Sequence, residues 1–189
     1  MSEISSVLDW GPGSCWTSAM ICDGRDVHIV DISNDVIDVA LGIIPDATAY
    51  LIDDVSSFKA VSDALEDERI DLLIAFSVIY HFPSLEYFHA IADLWKRISP
   101  KYIVIKTMMS HGDSWERSSY KVYEESVNYI RGLLLSEDDL CDALKGYSMI
   151  FSHNDETTPG LFGKINKLHG LENIPAHMSK LYVFKKISN

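Results

Sequence analysis

Short apolar runs alternate with longer stretches of helical periodicity along the first hundred residues, the pattern of an α/β domain built on a mostly parallel sheet. Ser5-Ser6-Val7-Leu8-Asp9 reads as a first strand, followed at once by Gly11-Pro12-Gly13 and a helix through Met20. Val27 to Asp31 reads as a second strand, and Val36, Ile37 and Ala40 fall at helical spacing within Asn34 to Leu41. Ala47 to Ile52 is the third strand; Ser56-Ser57 then offers caps to a helix from Phe58 to Glu66. Ile70 to Phe76 is the fourth, leading through Ser77 and Tyr80-His81-Phe82 to Pro83, which suits the first turn of a helix ending at Arg97. Lys101 to Thr107 is the fifth, after the stop signal Ser99-Pro100.

Beyond the fifth strand the pattern changes. Residues 108 to 119 read as a polar loop, Ser136 to Ala143 as a short helix with Glu137, Asp138 and Asp139 in its first turn, and Tyr147 to Ser152 and Leu181 to Ile187 as two final strands. His153 to Ser179 is then a long hairpin connection. The 189 residues are expected to form one domain, with the parallel-sheet half over about 5–107 and a second half over about 108–189.

Charge and cysteine usage narrow the function. Sixteen Lys and Arg against 28 Asp and Glu give a net charge of −12, a field that repels phosphate backbones and makes nucleic acid an unfavourable partner. No apolar run reaches the length of about 20 residues that spans a bilayer, and Met1 to Ser6 lacks the regions of a signal peptide. Three cysteines, Cys15, Cys22 and Cys141, have no paired spacing, so neither a disulfide framework nor a zinc site is expected. His153, Asp155 and Glu156 read as solvated polar residues, and no metal ligands are assigned. Together these features predict a cytoplasmic, free-thiol protein.

A glycine-rich turn after the first strand brings backbone close to a ligand and aims helix amides at it. The dinucleotide pattern G-x-G-x-x-G requires glycine at position 16, which is Trp16. Asp9, at the tip of the first strand, would repel a pyrophosphate but favours an ammonium or sulfonium charge. The turn therefore suits a cationic ligand better than a nicotinamide dinucleotide.

In order and spacing these residues resemble the class I S-adenosylmethionine-dependent methyltransferases. Val7-Leu8-Asp9-Trp10-Gly11-Pro12-Gly13 is similar to the family's first motif, and Val30-Asp31 to its second, whose acidic residue accepts both ribose hydroxyls. Asp53-Asp54 resembles the site that contacts the adenine amino group, with Asp54 the preferred match; Ile70-Asp71-Leu72-Leu73 followed by Tyr80-His81-Phe82 resembles the fourth-strand motif. Cys15 stands where the family carries its third glycine, and the chain starts directly at the first strand, which implies an open acceptor site, one covered by an oligomer or partner subunit, or a sequence that begins late.

The resemblance implies a Rossmann-like three-layer sandwich with a seven-stranded, mostly parallel sheet in the order 3-2-1-4-5-7-6 and an antiparallel last strand. It implies S-adenosylmethionine as cofactor, held by Asp9, Gly11, Gly13, Asp31, Asp53, Asp54 and Ser77. His81 is the candidate base, because an imidazole titrates near neutrality. Tyr80, His111, Trp115 and Arg117 are candidate acceptor contacts. Asp71, at the start of the fourth strand, is excluded, since ligands of such sheets bind at the carboxyl ends. The acidic balance favours a small-molecule or carrier-linked acceptor such as a sugar or secondary metabolite, and the layout from Arg131 to Leu135 through Ser136-Glu137-Asp138-Asp139-Leu140 to Gly146-Tyr147 resembles bacterial methyltransferases of glycan or natural-product pathways. The rival readings are a methyltransferase-like binding or scaffold subunit and, less favoured by Trp16 and Asp9, a nicotinamide oxidoreductase.

Overall fold

The computed structural model describes residues 4–52, 56–110, 112–117, 132–155 and 177–187. Five parallel strands form first: β1 (Ser6–Trp10), β2 (Asp26–Asp31), β3 (Thr48–Leu51), β4 (Leu72–Phe76) and β5 (Tyr102–Ser110). The helices between them are α1 (Trp16–Ile21), α2 (Asn34–Ile43), α3 (Ser57–Glu66) and α4 (Leu85–Ile98). A two-stranded antiparallel ribbon follows, β6 (Trp115–Arg117) with β7 (Gly132–Leu134), then α5 (Glu137–Ala143), β8 (Tyr147–Asp155) and β9 (His177–Lys186). The main sheet runs β3-β2-β1-β4-β5-β9-β8, with β9 antiparallel to both neighbours. Counting only its own seven strands, this is the order 3-2-1-4-5-7-6 that the resemblance implied.

All five residues of β1 are buried, the expected state of a central strand covered on both faces. Alternation along the strand splits its side chains between two cores. Leu8 and Trp10 join Val30, Leu73 and Ile103 against α3, α4 and α5; Val7, Ile29 and Ile74 pack with Cys15, Cys22 and Ala40 of the α1 and α2 side. The first core is anchored by α4, which buries Phe88, Ile91, Ala92, Leu94, Trp95 and Ile98 along one stripe. Trp95 sets its ring edge-on to Trp10 at 5.7 Å between centroids.

Three details depart from the sequence reading. The helix expected to begin at Pro83 begins at Leu85, because Ser84 in extended conformation accepts from the Tyr87 amide at 3.2 Å and takes the N-cap position. The loop expected from Met108 begins later: β5 continues to Ser110 on its antiparallel ladder with β9, burying Met108 and Met109. The last two strands are longer than their apolar runs, since β8 and β9 pair with each other up to Asp155 and Ser179; the remainder of the expected hairpin connection lies outside the described residues. Trp16, which stands where the dinucleotide pattern needs glycine, is 72% exposed. Among the described residues no helix is long and apolar enough to cross a membrane.

Candidate functional site

Strand order reverses between β1 and β4, whose chains continue to opposite sides of the sheet. Crevices at such switch points, outside the carboxyl ends of the strands, are where ligands of open α/β sheets bind. A cleft of about 530 Å3 opens there, bounded by the β1–α1 turn, the tip of β2, Ile52 after β3 and the segment after β4. Asp9, Gly11, Gly13, Asp31, Ser77 and His81 all line it. Six of the residues expected in the site thus come together.

The turn is built on left-handed backbone. Gly11 and Gly13 have φ of +72° and +54°, and Cys15, the N-terminal flank of α1, has φ of 59°. Cys15 therefore holds the conformation that glycine holds most cheaply, while its buried side chain packs with Cys22 and Val7. A Cβ on Gly13 would meet nothing within 4 Å, so the backbone at this point borders open space that a ligand can approach closely. Ser77, at the tip of β4, is a second strained residue on the cleft, with φ of 58°, and its amide donates to the Lys106 carbonyl at 2.7 Å.

Two carboxylates stand above this turn. Asp9 is 3% exposed and accepts a hydrogen bond from the Ser18 hydroxyl of α1. Burial, followed by repulsion from Asp31, pushes its pKa up to about 7. Asp31 accepts from the Ser33 amide at 2.9 Å, and burial raises its pKa while the Ser33 and Ile32 amides pull it back. A cationic ligand group would relieve the cost of ionising Asp9, whereas a pyrophosphate would add to it.

Asp9 makes stability depend on pH. Its folded pKa lies above the carboxylate's ordinary value, so the folded state binds its proton more tightly than the unfolded chain does; this contribution is complete below about pH 4 and is lost as pH rises through about 7. Asp9→Asn should therefore flatten the fall in Tm between pH 5 and pH 8 that wild type shows in the absence of ligand. A scan of Tm against pH with the same slope for both proteins would remove this role.

Of the other expected residues, Tyr80 does not line the cleft; its ring packs on that of His81 at 4.1 Å between centroids. Trp115 and Arg117 lie on β6, whose backbone pairs with β7 through Leu134 and Gly132. Asp53, Asp54 and His111 lie outside the described residues. Asp71 sits at the opposite end of the sheet, where Ser5 donates to it from amide and hydroxyl at 2.8 and 2.6 Å and Lys101 approaches to 2.7 Å. These partners, led by the Lys101 ammonium, hold its carboxyl well below the usual range against the opposing effect of burial. It is structural.

The sequence reading assigned no site role to Ser18, Ile52 and Tyr87, which are among the further residues lining the cleft. For Ser18 a signal existed: it lies three residues after Cys15, one helical turn into α1, and so on the side that faces the tip of β1. A second cleft, of about 440 Å3, lies past β5 between Ser110, Asp113 and the start of α5. Two of its four carboxylates are engaged, Glu137 by Lys180 and Tyr182 at 2.5 and 2.9 Å and Asp139 by Ser114 and Ser136.

No family model matches the chain, and no curated protein matches it in sequence. Solved structures match it in fold. A S-adenosylmethionine-dependent methyltransferase from Methanosarcina mazei aligns over 100% of this chain and 95% of its own at 12% identity and TM-score 0.67. The N-terminal domain of EvdMO1, solved with S-adenosylhomocysteine bound, aligns over 99% and 76% at 11% identity and TM-score 0.63. The N-methyltransferase NodS from Bradyrhizobium japonicum, in complex with S-adenosylhomocysteine, aligns over 98% and 79% at 10% identity and TM-score 0.61. The fold of this chain is thus the Rossmann-like fold of S-adenosylmethionine-dependent methyltransferases.

Proposed function

We propose that the chain is an S-adenosylmethionine-dependent methyltransferase acting on a small-molecule or carrier-linked acceptor. The observation that carries this reading is the convergence of Asp9, the Gly11–Gly13 turn, Asp31 and Ser77 on one cleft at the switch point of the sheet. S-adenosylmethionine supplies a methyl group already activated by sulfonium charge. What remains for the protein is binding, orientation and, for some acceptors, removal of a proton.

Each residue has a part in that division. Asp31 accepts from the ribose hydroxyls, Asp9 offsets the positive charge of the amino-acid end and sulfonium, and the Gly13 backbone lets the ligand approach. His81 lies in the 3-10 turn Ile79–His81 at the mouth of the same cleft, where its imidazole would take a proton from an acceptor hydroxyl or ammonium. Asp54 is the preferred partner for the adenine amino group, and Trp115, Arg117 and His111 are the candidate acceptor contacts. The net charge of −12 supports an acceptor other than nucleic acid. Fold likeness to NodS, an N-methyltransferase, and to EvdMO1, whose N-terminal domain was also solved in the presence of D-fucose, supports the same class by analogy. The three cysteines, all free thiols, support a cytoplasmic setting.

The deciding experiment is calorimetric titration of the folded chain with S-adenosylmethionine and, separately, S-adenosylhomocysteine. One site of micromolar affinity is expected for each, and no binding by a folded sample would overturn the assignment. His81→Ala should lower turnover about 100-fold while leaving cofactor affinity within a few fold; an unchanged rate would assign His81 to structure. A scaffold subunit is the second reading, favoured by Trp16 and Met20, which stand 72% and 81% exposed one turn apart on α1 beside the cleft. Cofactor binding without turnover of any acceptor would favour it.

A further inference from the structure

At the amino end of the sheet, remote from the cleft, three potential ligands meet. Asp26 and His28 are two apart on β2 and so share a face. That face is the α3 side, and Glu68 lies just past the end of α3, its amide donating to the Leu65 carbonyl at 3.2 Å. Because α3 runs back antiparallel to the strands, Glu68 returns to the level at which β2 starts. One ligand atom from each of Asp26, His28 and Glu68 lies within 4.8 Å of the others.

The histidine is the second observation. His28 is 3% exposed, yet its Nε2 has no hydrogen-bond partner among the described residues and stands 3.7 Å from Asp26 Oδ2. A buried ring nitrogen left without a partner is costly. The other nitrogen, Nδ1, is 3.4 Å from the Tyr50 hydroxyl, and the two rings stack at 6.1 Å between centroids and 19° between planes. If Nδ1 carries the proton and donates to Tyr50, Nε2 presents a lone pair to the two carboxylates. This outer contact, which fixes ring and tautomer, is the support that metal-bound histidines commonly have.

We propose that Asp26, His28 and Glu68 bind one divalent first-row metal ion, with zinc as the best fit, pinning the start of β2 to the α3–β4 connection. One imidazole and two carboxylates are ligands that zinc accepts, at about 2.0 to 2.2 Å each, and a fourth position stays open to water. Tetrahedral coordination at those lengths sets ligand atoms about 3.3 Å apart. His28 Nε2 and Asp26 Oδ2 are already near that spacing, and the exposed side chains of Asp26 and Glu68 are free to rotate inward while the buried ring stays fixed. The two carboxylates balance the charge of the ion.

The test uses the full chain, stripped with a chelator and titrated with zinc chloride, with manganese chloride as a second probe. One zinc per chain is expected at micromolar affinity, weaker manganese binding, and a Tm rise of about 5 to 10 °C at a hundredfold excess over Kd. In the nitrogen-resolved NMR spectrum His28 Nε2 should move to a metal-bound position. Glu68→Gln, at an exposed position that leaves the fold intact, should weaken zinc at least tenfold and abolish most of the Tm rise; Cys141→Ser should change neither. Titration with S-adenosylmethionine should be unaffected by Glu68→Gln, which separates this proposal from the methyltransferase assignment. Zinc affinity and Tm rise equal to wild type in Glu68→Gln, or a His28 signal unmoved by saturating zinc, would overturn it.

Discussion

Asp31→Ala is expected to weaken binding of S-adenosylmethionine and S-adenosylhomocysteine alike, by about 100-fold or more. The carboxylate closes β2, and one of its oxygens is engaged by the Ser33 amide at 2.9 Å, which leaves lone pairs of both oxygens for two ribose hydroxyls. Hydrogen bonds to a charged group contribute about 1.5 to 3 kcal/mol each, so loss of two exceeds the 1.4 kcal/mol that makes a factor of ten. The ribose is common to both ligands, so their affinities should fall together. Asp9→Asn should behave differently, weakening S-adenosylmethionine more than the uncharged-sulfur product, because Asp9 acts through charge. Asp31→Asn keeps an acceptor for the Ser33 amide while removing the charge, and should lie between wild type and alanine. Calorimetry on the variants reads all of this directly; an Asp31→Ala affinity within threefold of wild type would remove the ribose contact.

The strands that hold these residues were legible because β1, β2 and β4 are covered on both faces and so read as near-continuous apolar runs. The candidate site was legible because ligand chemistry concentrates at the ends of those runs: Asp9 near the end of one with Gly11 just after it, Asp31 closing another, Ser77 after a third. What escaped depends on partners far away in sequence. Nothing local to Met108 and Met109 says strand; they are strand because β9 pairs with them across some seventy residues of chain. β6 and β7 are three residues each and are held by one another, too short for any periodicity to register. Asp26 and His28 looked like ordinary residues of a strand start, and only the return of α3 brings Glu68 to them.

Cys15 shows how far a departure from a motif can leave its geometry in place. The sequence has cysteine where the resemblance expects glycine, yet the backbone there keeps φ of 59° and the thiol is fully buried. Left-handed conformation costs a non-glycine residue about 1 to 2 kcal/mol, and burial of the side chain offsets much of that. The thiol pKa is raised by burial and by the nearby Asp9 charge, so this cysteine is an inert packing group rather than a nucleophile.

Gly11 has no such latitude, and Gly11→Ala is expected to lower Tm by about 5 to 15 °C. At φ of +72° any side chain is strained, and a Cβ at this position would lie 2.5 Å from Val78 Cγ2 and 2.9 Å from Val78 Cβ. Strain of about 1 to 2 kcal/mol adds to overpacking of about 1 to 3 kcal/mol, and each kcal/mol moves Tm by about 2 to 4 °C in a chain of this size. Relief by movement is restricted on both sides. The Gly11 amide donates to the Val30 carbonyl at 2.8 Å, tying the turn to β2, and Val78 follows Ser77, whose amide is tied to β5. The two strand tips that flank the switch point would be forced apart, so cofactor affinity should fall along with Tm. Val78→Ala removes the closest clashing carbon, Cγ2, and leaves both the backbone strain and the 2.9 Å approach to the residue 78 Cβ. The double variant should therefore recover about 1 to 2 kcal/mol relative to the sum of the single changes, measured as a coupling in thermal or denaturant unfolding. Additive effects would show that the Val78 γ-carbons are not what excludes a side chain at Gly11, and the strain of φ together with the approach to the residue 78 Cβ would then have to account for the loss.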